Sequence, residues 1–414
     1  MVSAGARPIR IAFLGTDEST AELVRAVLES PRYDLVGICE FESARHAAAT
    51  ELRPLAGQLR PIAEWEMLLD DERIDAVIVA RGDDEDLRVE QLRKFLQTGM
   101  PVLVSHPVVG SMLLYYELDM IRRATDSVVV PHLVLRNHPA VRAMAEIVRA
   151  GGESVIGKVE HVSFERCITA PTKQNVERQF ARDVDLARAI AGEITRLGAM
   201  AGDASTFSNL GVQMSGPEGI AARWSVVPIQ SAEGAKITLT GPRGRAVLDL
   251  GADDAPWTLE LSVDGESRIQ EFDVWDAAAA SLEQLATAIA GGTPRPDWVD
   301  AARAVELADT IDRSLQKSRT IELYYEDYTE DATFKGTMTS VGCGLLLLGI
   351  FVLALVGIAE QMKIPYVRFW PYVLVGLFGI FLFLQLAMFT RGRDTEKAAD
   401  ESTLEPSEMA GMGD

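Results

Sequence analysis

The sequence predicts an α/β fold: a doubly wound parallel sheet, then an α+β domain with a mostly antiparallel sheet, then a two-helix transmembrane hairpin. Three observations predict it. Apolar runs alternate with helix-period segments from Arg10 to Leu133. Strand-like runs separated by turn residues recur from about Gly157. Two charge-free apolar stretches lie near the C-terminus.

Arg10 to Leu14 forms the first strand and ends in Gly15. Ala21, Leu23, Val24, Val27 and Leu28 then fall on one helical face. YDLVGIC, Tyr33 to Cys39, is a strand ending at Glu40. Helices are expected over 43–55, 62–69, 85–98 and 110–124, and strands over 75–80, 101–105 and 128–133. Beyond these, KVEHVSFER, ITRLGAM, NLGVQMS, AARWSVVP, AKITLTG, RAVLDL and WTLELSV read as strands. Gly241-Pro242-Arg243-Gly244 and Asp264-Gly265 are turns of the hairpin kind. Helices return over 277–290 and 297–316. The expected domains are 1–125, 126–323, a linker over 324–335, the hairpin over 336–391 and an acidic tail over 392–414.

No residue between Lys335 and Glu360 is charged, and none between Arg368 and Arg391. Each run can cover a hydrocarbon core of about 30 Å at about 1.5 Å per residue. The short loop 360–368 puts both flanks on one side. Lys335, Arg391, Arg393 and Lys397 make that side cytoplasmic. The expectation is a two-pass membrane protein with lipid as a partner and a cytoplasmic body and termini. The apolar run 9–15 is too short for a signal peptide. Cys39, Cys167 and Cys343 are sparse and fit a reducing compartment. Formal net charge is -21 with a pI near 4.7, which excludes nucleic acid as a natural partner.

Strand, glycine turn, helix, and a second strand ending in an acid form the Rossmann arrangement, in which a dinucleotide phosphate rests on a helix N-terminus. The turn reads Gly15-Thr16-Asp17-Glu18-Ser19-Thr20, keeping only the first glycine of G-x-G-x-x-G/A. Asp17 stands at the second glycine position, and Glu40 is placed for ribose hydroxyls. Gly15, Thr16, Asp17, Glu40, Ala80 and Ser105 are the candidate cofactor residues. His106, His132, His138 and His161 show no ligand spacing, and no metal is expected. Asp183 and Asp185 read as an ordinary helix start.

Over about residues 8–325 the chain resembles the Gfo/Idh/MocA family of NAD(P)-dependent oxidoreductases. The resemblance is carried by WEMLLDDERIDAVIVA (Trp65 to Ala80), QTGMPVLVSHP (Gln97 to Pro107), the stretch from Val128 to Val162 with Arg136 at the family's arginine, DLARAIAGEITRLGA (Asp185 to Ala199) and SLQKSRTIEL (Ser314 to Leu323). It implies NAD or NADP as cofactor, hydride transfer on a sugar- or polyol-like substrate, and a homodimer through the second sheet. Two positions depart from the family pattern. His106 replaces the Lys of E-K-P, and Arg182 replaces the His of H-x-x-D-L. Arg cannot serve as a general base. The implied catalytic set is therefore His106, Arg182, Asp185 and Arg136. The alternative is a non-catalytic, membrane-tethered binding or scaffold module, motivated by the charges of Asp17, Glu18 and residues 83–86.

Overall fold

The computed structural model describes residues 7–40, 52–169, 171–202, 206–217, 219–227, 234–251 and 255–323. Six parallel strands form the first sheet: β1 (Ile9–Leu14), β2 (Tyr33–Cys39), β3 (Pro61–Ile62), β4 (Ala76–Val79), β5 (Val102–Ser105) and β6 (Val129–His132). Their order is β3-β2-β1-β4-β5-β6. The direction of winding reverses between β1 and β4, and ligands of such sheets bind outside the carboxyl ends at that point. Side chains alternate faces along a strand. Ile11 and Phe13 therefore join one core, and Ala12 and Leu14 the other. Both faces are covered, which is why β1 and β4 are apolar almost throughout.

Helix α1 (Thr20–Glu29) covers the first face. The short helix α2 (Met67–Asp70) is followed by α3 (Glu85–Thr98) and α4 (Met112–Thr125), which lie on the other face. Asp84 caps α3 by accepting from the Leu87 amide, and Gly99 ends it at φ +74. The helix expected over 62–69 is reduced to the four residues of α2. Ile62 is drawn into the sheet edge beside Cys39. Most of the helix expected over 43–55 lies outside the described residues.

After α5 (Pro139–Arg149) come nine strands: β7 (His161–Cys167), β8 (Arg196–Met200), β9 (Gly211–Ser215), β10 (Ala221–Val227), β11 (Gly234–Gly241), β12 (Gly244–Leu250), β13 (Trp257–Val263), β14 (Glu266–Phe272) and β15 (Ile321–Glu322). Their order is β14-β13-β12-β11-β7-β10-β9-β8-β15, antiparallel except for the β7–β10 pair. Asp264 at φ +52 and Gly265 at φ +88 make the tight β13–β14 hairpin. Ala222, Trp224 and Val226 of β10 point into the core under helix α6 (Lys173–Ala191), whereas Ala221 and Arg223 are exposed on the opposite face.

Helix α6 corrects one expectation. Asp183 and Asp185 lie in its third and fourth turns, not at its start. Thr172 caps it through the Asn175 amide. Asp183 is instead held by Arg166, Gln179 and the Trp224 indole N–H. The last helices, α7 (Ala277–Ile289) and α8 (Trp298–Lys317), return to the first sheet. Leu282 and Leu285 join the core beside α1, and Trp298 and Val305 the core beside α4. Both sheets consequently belong to one compact unit. Among the described residues no helix is long and apolar enough to cross a membrane. The hairpin expected over 336–391 lies outside them.

Candidate active site

The crevice over the carboxyl ends of β1, β2, β4, β5 and β6 collects nearly all of the singled-out residues. Gly15 leaves β1 at φ +80, in the left-handed region that suits glycine. A Cβ there would stand 2.7 Å from Nη2 of Arg88. Arg88 is 3% exposed and also presses on Gly82. Its Nη2 donates to Glu40 at 2.9 Å and its Nη1 to Gln91 at 2.8 Å; Gln91 in turn donates to Glu40 at 2.8 Å. Glu40 takes φ +57, an uncommon conformation for a side-chain-bearing residue, and this network fixes it there. Over Gly15, Thr16, Arg81 and Leu87 opens a cleft of about 240 Å³.

Asp17 does not stand over Gly15. It is 7% exposed and turned inward. Its Oδ1 accepts from the Ser19 amide at 3.1 Å and the Ser19 hydroxyl at 2.8 Å, and its Oδ2 from the Arg81 amide at 2.9 Å. Burial pushes its pKa up. The Ser105, Arg81 and Ser19 hydrogen bonds and the Arg182 charge outweigh burial and hold it below the ordinary carboxylate range. Glu18 reaches away to Arg178 and Arg182. The amides of Thr16 and Glu18 have no acceptor among the described residues. The turn therefore fits a diphosphate: a bare glycine, two available N–H groups and the Arg88 charge nearby. Glu40 can still accept from ribose hydroxyls, since a carboxylate offers about four acceptor sites.

Around His106 the chemistry differs. His106 is 2% exposed, and its Nε2 lies 3.3 Å from the Ala181 carbonyl. A carbonyl only accepts, so Nε2 carries the proton, and Nδ1 is a buried lone pair with no partner among the described residues. Burial first, then Arg182 and His132, pull its pKa down to about 3, against the Ala181 bond. The ring is neutral at working pH. Arg182 Nε donates to the His106 carbonyl at 3.0 Å, which ties α6 to the end of β5. His132, at the end of β6, bonds Ser281 at 2.6 Å and is also held neutral by burial.

Asp185 and Arg136 stand elsewhere. Asp185 is 0% exposed, with Arg136 Nη2 at 2.7 Å and Arg188 Nη1 at 3.7 Å. The approach to Arg136 is close, yet no N–H is aligned on either carboxylate oxygen. Burial pushes Asp185 up to about 7 against the pull of both arginines. Arg136 also reaches Asp300 at 2.9 Å. Together they buttress α6 against α8. Of the named set, Gly15, Thr16, Asp17, Glu40, Ala80, Ser105, His106 and Arg182 line or underlie the crevice, while Asp185 and Arg136 sit behind it.

Sequence reasoning missed Arg88, Gln91, Arg81 and Arg178. For Arg88 a signal existed: it falls on the α3 face that buries Val89, Leu92, Phe95 and Leu96, where a lone arginine needs a partner.

Residues 9–128 match the model of the GFO_IDH_MocA family, an oxidoreductase family with an NAD-binding Rossmann fold. The N-terminal sheet is thus similar to the NAD-binding domain of the Gfo/Idh/MocA oxidoreductases. The cofactor class of this fold is a nicotinamide dinucleotide, NAD or NADP. No curated protein matches the chain. Among solved structures, one assigned as an NADPH-dependent oxidoreductase from Desulfitobacterium hafniense aligns with a TM-score of 0.65 at 16% identity, over 77% of this chain and 98% of that one. One assigned as a myo-inositol dehydrogenase from Sinorhizobium meliloti gives 0.59 at 20% identity, over 76% and 100%. A 3-ketoreductase from Actinomadura kijaniata, in complex with TDP-benzene and NADP, gives 0.62 at 17% identity, over 74% and 98%. At these identities the likeness establishes a shared fold across both sheets.

Proposed function

We propose that the chain is an NAD(P)-dependent oxidoreductase that interconverts a secondary alcohol and a ketone on a sugar- or polyol-like substrate. The observation that carries this reading is the bare Gly15 turn with two available amides, Thr16 and Glu18, facing Glu40. Neighbours assigned to myo-inositol and to a 3-keto group support the substrate class. Glu40 at the ribose position favours NAD, because its carboxylate repels a 2′-phosphate.

A bound nicotinamide supplies the hydride acceptor or donor. Arg182, fixed by its bond to the His106 carbonyl, would present positive charge to the oxygen that is anionic once the hydroxyl proton has left and until the carbon gives up hydride. It cannot take the hydroxyl proton. His106 at about 3 is too weak a base to hold that proton, so the proton passes to solvent. Alcohol oxidation should then quicken steadily with pH, without an inflection near the ordinary histidine value of about 6.5.

Of the charges that motivated a non-catalytic module, Asp17 is turned inward and Glu18 reaches to Arg178 and Arg182, whereas Asp83 and Asp84 line the cleft beside Gly15. The inward turn of Asp17 favours the oxidoreductase reading over that alternative. We also propose, from the charge-free runs within 336–391, that the body is anchored to a membrane from the cytoplasmic side, and that it pairs through the exposed face of the second sheet. Extraction of the chain by alkaline carbonate would end the anchoring proposal.

The test of function is NAD+- or NADP+-dependent oxidation of an inositol and hexose panel by the full chain in detergent, followed by nicotinamide absorbance. Turnover that rises from about pH 6 to about pH 9 is expected; its absence with every substrate overturns the reading.

A further inference from the structure

Three arginines meet where the Gly15 turn faces helix α6: Arg81, Arg178 and Arg182. Two carboxylates stand among them, Asp17 and Glu18. Asp83 and Asp84 line the cleft as well, but the ion pairs of Arg178 and Arg182 are with Glu18, in a chain whose formal net charge is -21. Asp17 is already satisfied, since its oxygens accept from Ser19 and the Arg81 amide.

Glu18 is held more loosely. Its two oxygens lie 3.7 Å from Arg178 Nη1 and 3.4 Å from Arg182 Nη1. Charged hydrogen bonds are normally about 2.7–2.9 Å. The Glu18 side chain is 59% exposed, whereas the Arg178 side chain is 17% exposed. The buried member of the pair is thus the cation, and the hydrated member is the anion. Arg178 and Arg182 are four residues apart on one helix and share a face. Burial draws the Arg178 guanidinium down to about 10, Arg81 and Arg182 draw it the same way, and Glu18 and Asp17 oppose them. Guanidinium groups crowded together and partly out of water are relieved by an anion that touches them more closely than Glu18 does.

We propose that Glu18 is a placeholder and that Arg178 and Arg182, with Arg81 beside them, form an oxyanion site between the Gly15 turn and His106. The ligand group is a carboxylate or phosphate. It comes from an acidic substrate, a sugar acid in place of a neutral sugar, since the Gly15 turn itself accounts for the cofactor diphosphate. The substrate source rests on the oxidoreductase reading above; anion binding itself does not.

Calorimetric titration of the full chain in detergent tests this with three probes: glucuronate, its uncharged counterpart glucose, and inorganic pyrophosphate. Glucuronate should bind at least about tenfold more tightly than glucose, the scale of one charged hydrogen bond. Arg178→Leu should erase that margin, and Glu18→Gln should widen it by several-fold, because the competing carboxylate is gone. Structural damage would weaken binding in both variants, so the opposite signs separate a site from a perturbation. A margin carried by pyrophosphate alone reports the Gly15 turn and overturns the proposal. Equal binding of all three probes, or weaker anion binding in Glu18→Gln, overturns the proposal. Binding of NADH with no preference for either anion would leave the oxidoreductase reading standing without this site. Anion preference without any binding of NADH or NADPH would do the reverse.

Discussion

The two ends of the crevice use arginine in opposite ways. At the Glu40 end, Arg88 is 3% exposed, and Glu40 and Gln91 hold both of its terminal nitrogens in a neutral network. At the reaction end, Arg178 and Arg182 share one exposed carboxylate, at 3.7 Å and 3.4 Å, and their charge is incompletely answered. The same residue type is a packed strut in one place and an open electrostatic group in the other. The difference is set by how many partners the neighbouring elements supply. Helix α3 brings Gln91 and the end of β2 brings Glu40, whereas the Gly15 turn brings Arg178 and Arg182 the single exposed Glu18.

The buttress behind the crevice sharpens this contrast and should give the largest effect. Asp185→Ala removes the most buried counter-charge of Arg136 and Arg188 and leaves them Asp300. Removing one partner of a buried pair costs about 3–5 kcal/mol, and urea unfolding should report a loss of that order. A small loss would mean that Asp185 is not a strut.

Gly15→Ala comes next. The new methyl meets Arg88 Nη2 at 2.7 Å and must adopt φ +80. We expect about 1–2 kcal/mol of destabilisation together with loss of most cofactor affinity, read by calorimetry. Arg88→Met should be milder for folding but should release Glu40 from its clamp, weakening NADH binding by several-fold.

The smallest effect is in pH dependence. His106 has a folded pKa of about 3 and an unfolded one near 6.5. Below the unfolded value the unfolded chain takes a proton that the folded chain refuses. Stability is therefore full above about pH 6.5 and is lost as pH falls towards about 3. His132 and His138, both held to about 4, act in the same direction. His106→Gln should make the acid limb shallower by up to about 1.4 kcal/mol per pH unit. An unchanged limb would show that His106 is protonated in the folded chain.

Much of the fold was legible because both sheets obey simple periods. The parallel strands are short apolar runs, and the second sheet alternates as in β10, where Ala222, Trp224 and Val226 are buried and Arg223 is not. The long helix α6 was misread at Asp183 and Asp185. Acids usually mark helix starts, but here Arg166 pairs with Asp183, the Trp224 indole N–H donates to it, and Arg136 on a remote turn stands against Asp185. Those partners are 17, 41 and 49 residues away in sequence, and no local pattern announces them. In the site, Gly15, Glu40, His106 and Arg182 could be placed by strand ends and resemblance. The inward turn of Asp17 could not, because it depends on the Arg81 amide reaching it from the end of β4. Arg178 was hidden for the same reason: its meaning comes from Glu18, 160 residues earlier.

The most direct test of the account is a calorimetric titration of the full chain in detergent with NADH, beside the same titration of Gly15→Ala. The account predicts saturable binding by the natural chain and a loss of at least about tenfold in the variant, since one added methyl displaces Arg88 from the turn. A flat isotherm for the natural chain, or equal binding by both, would contradict it.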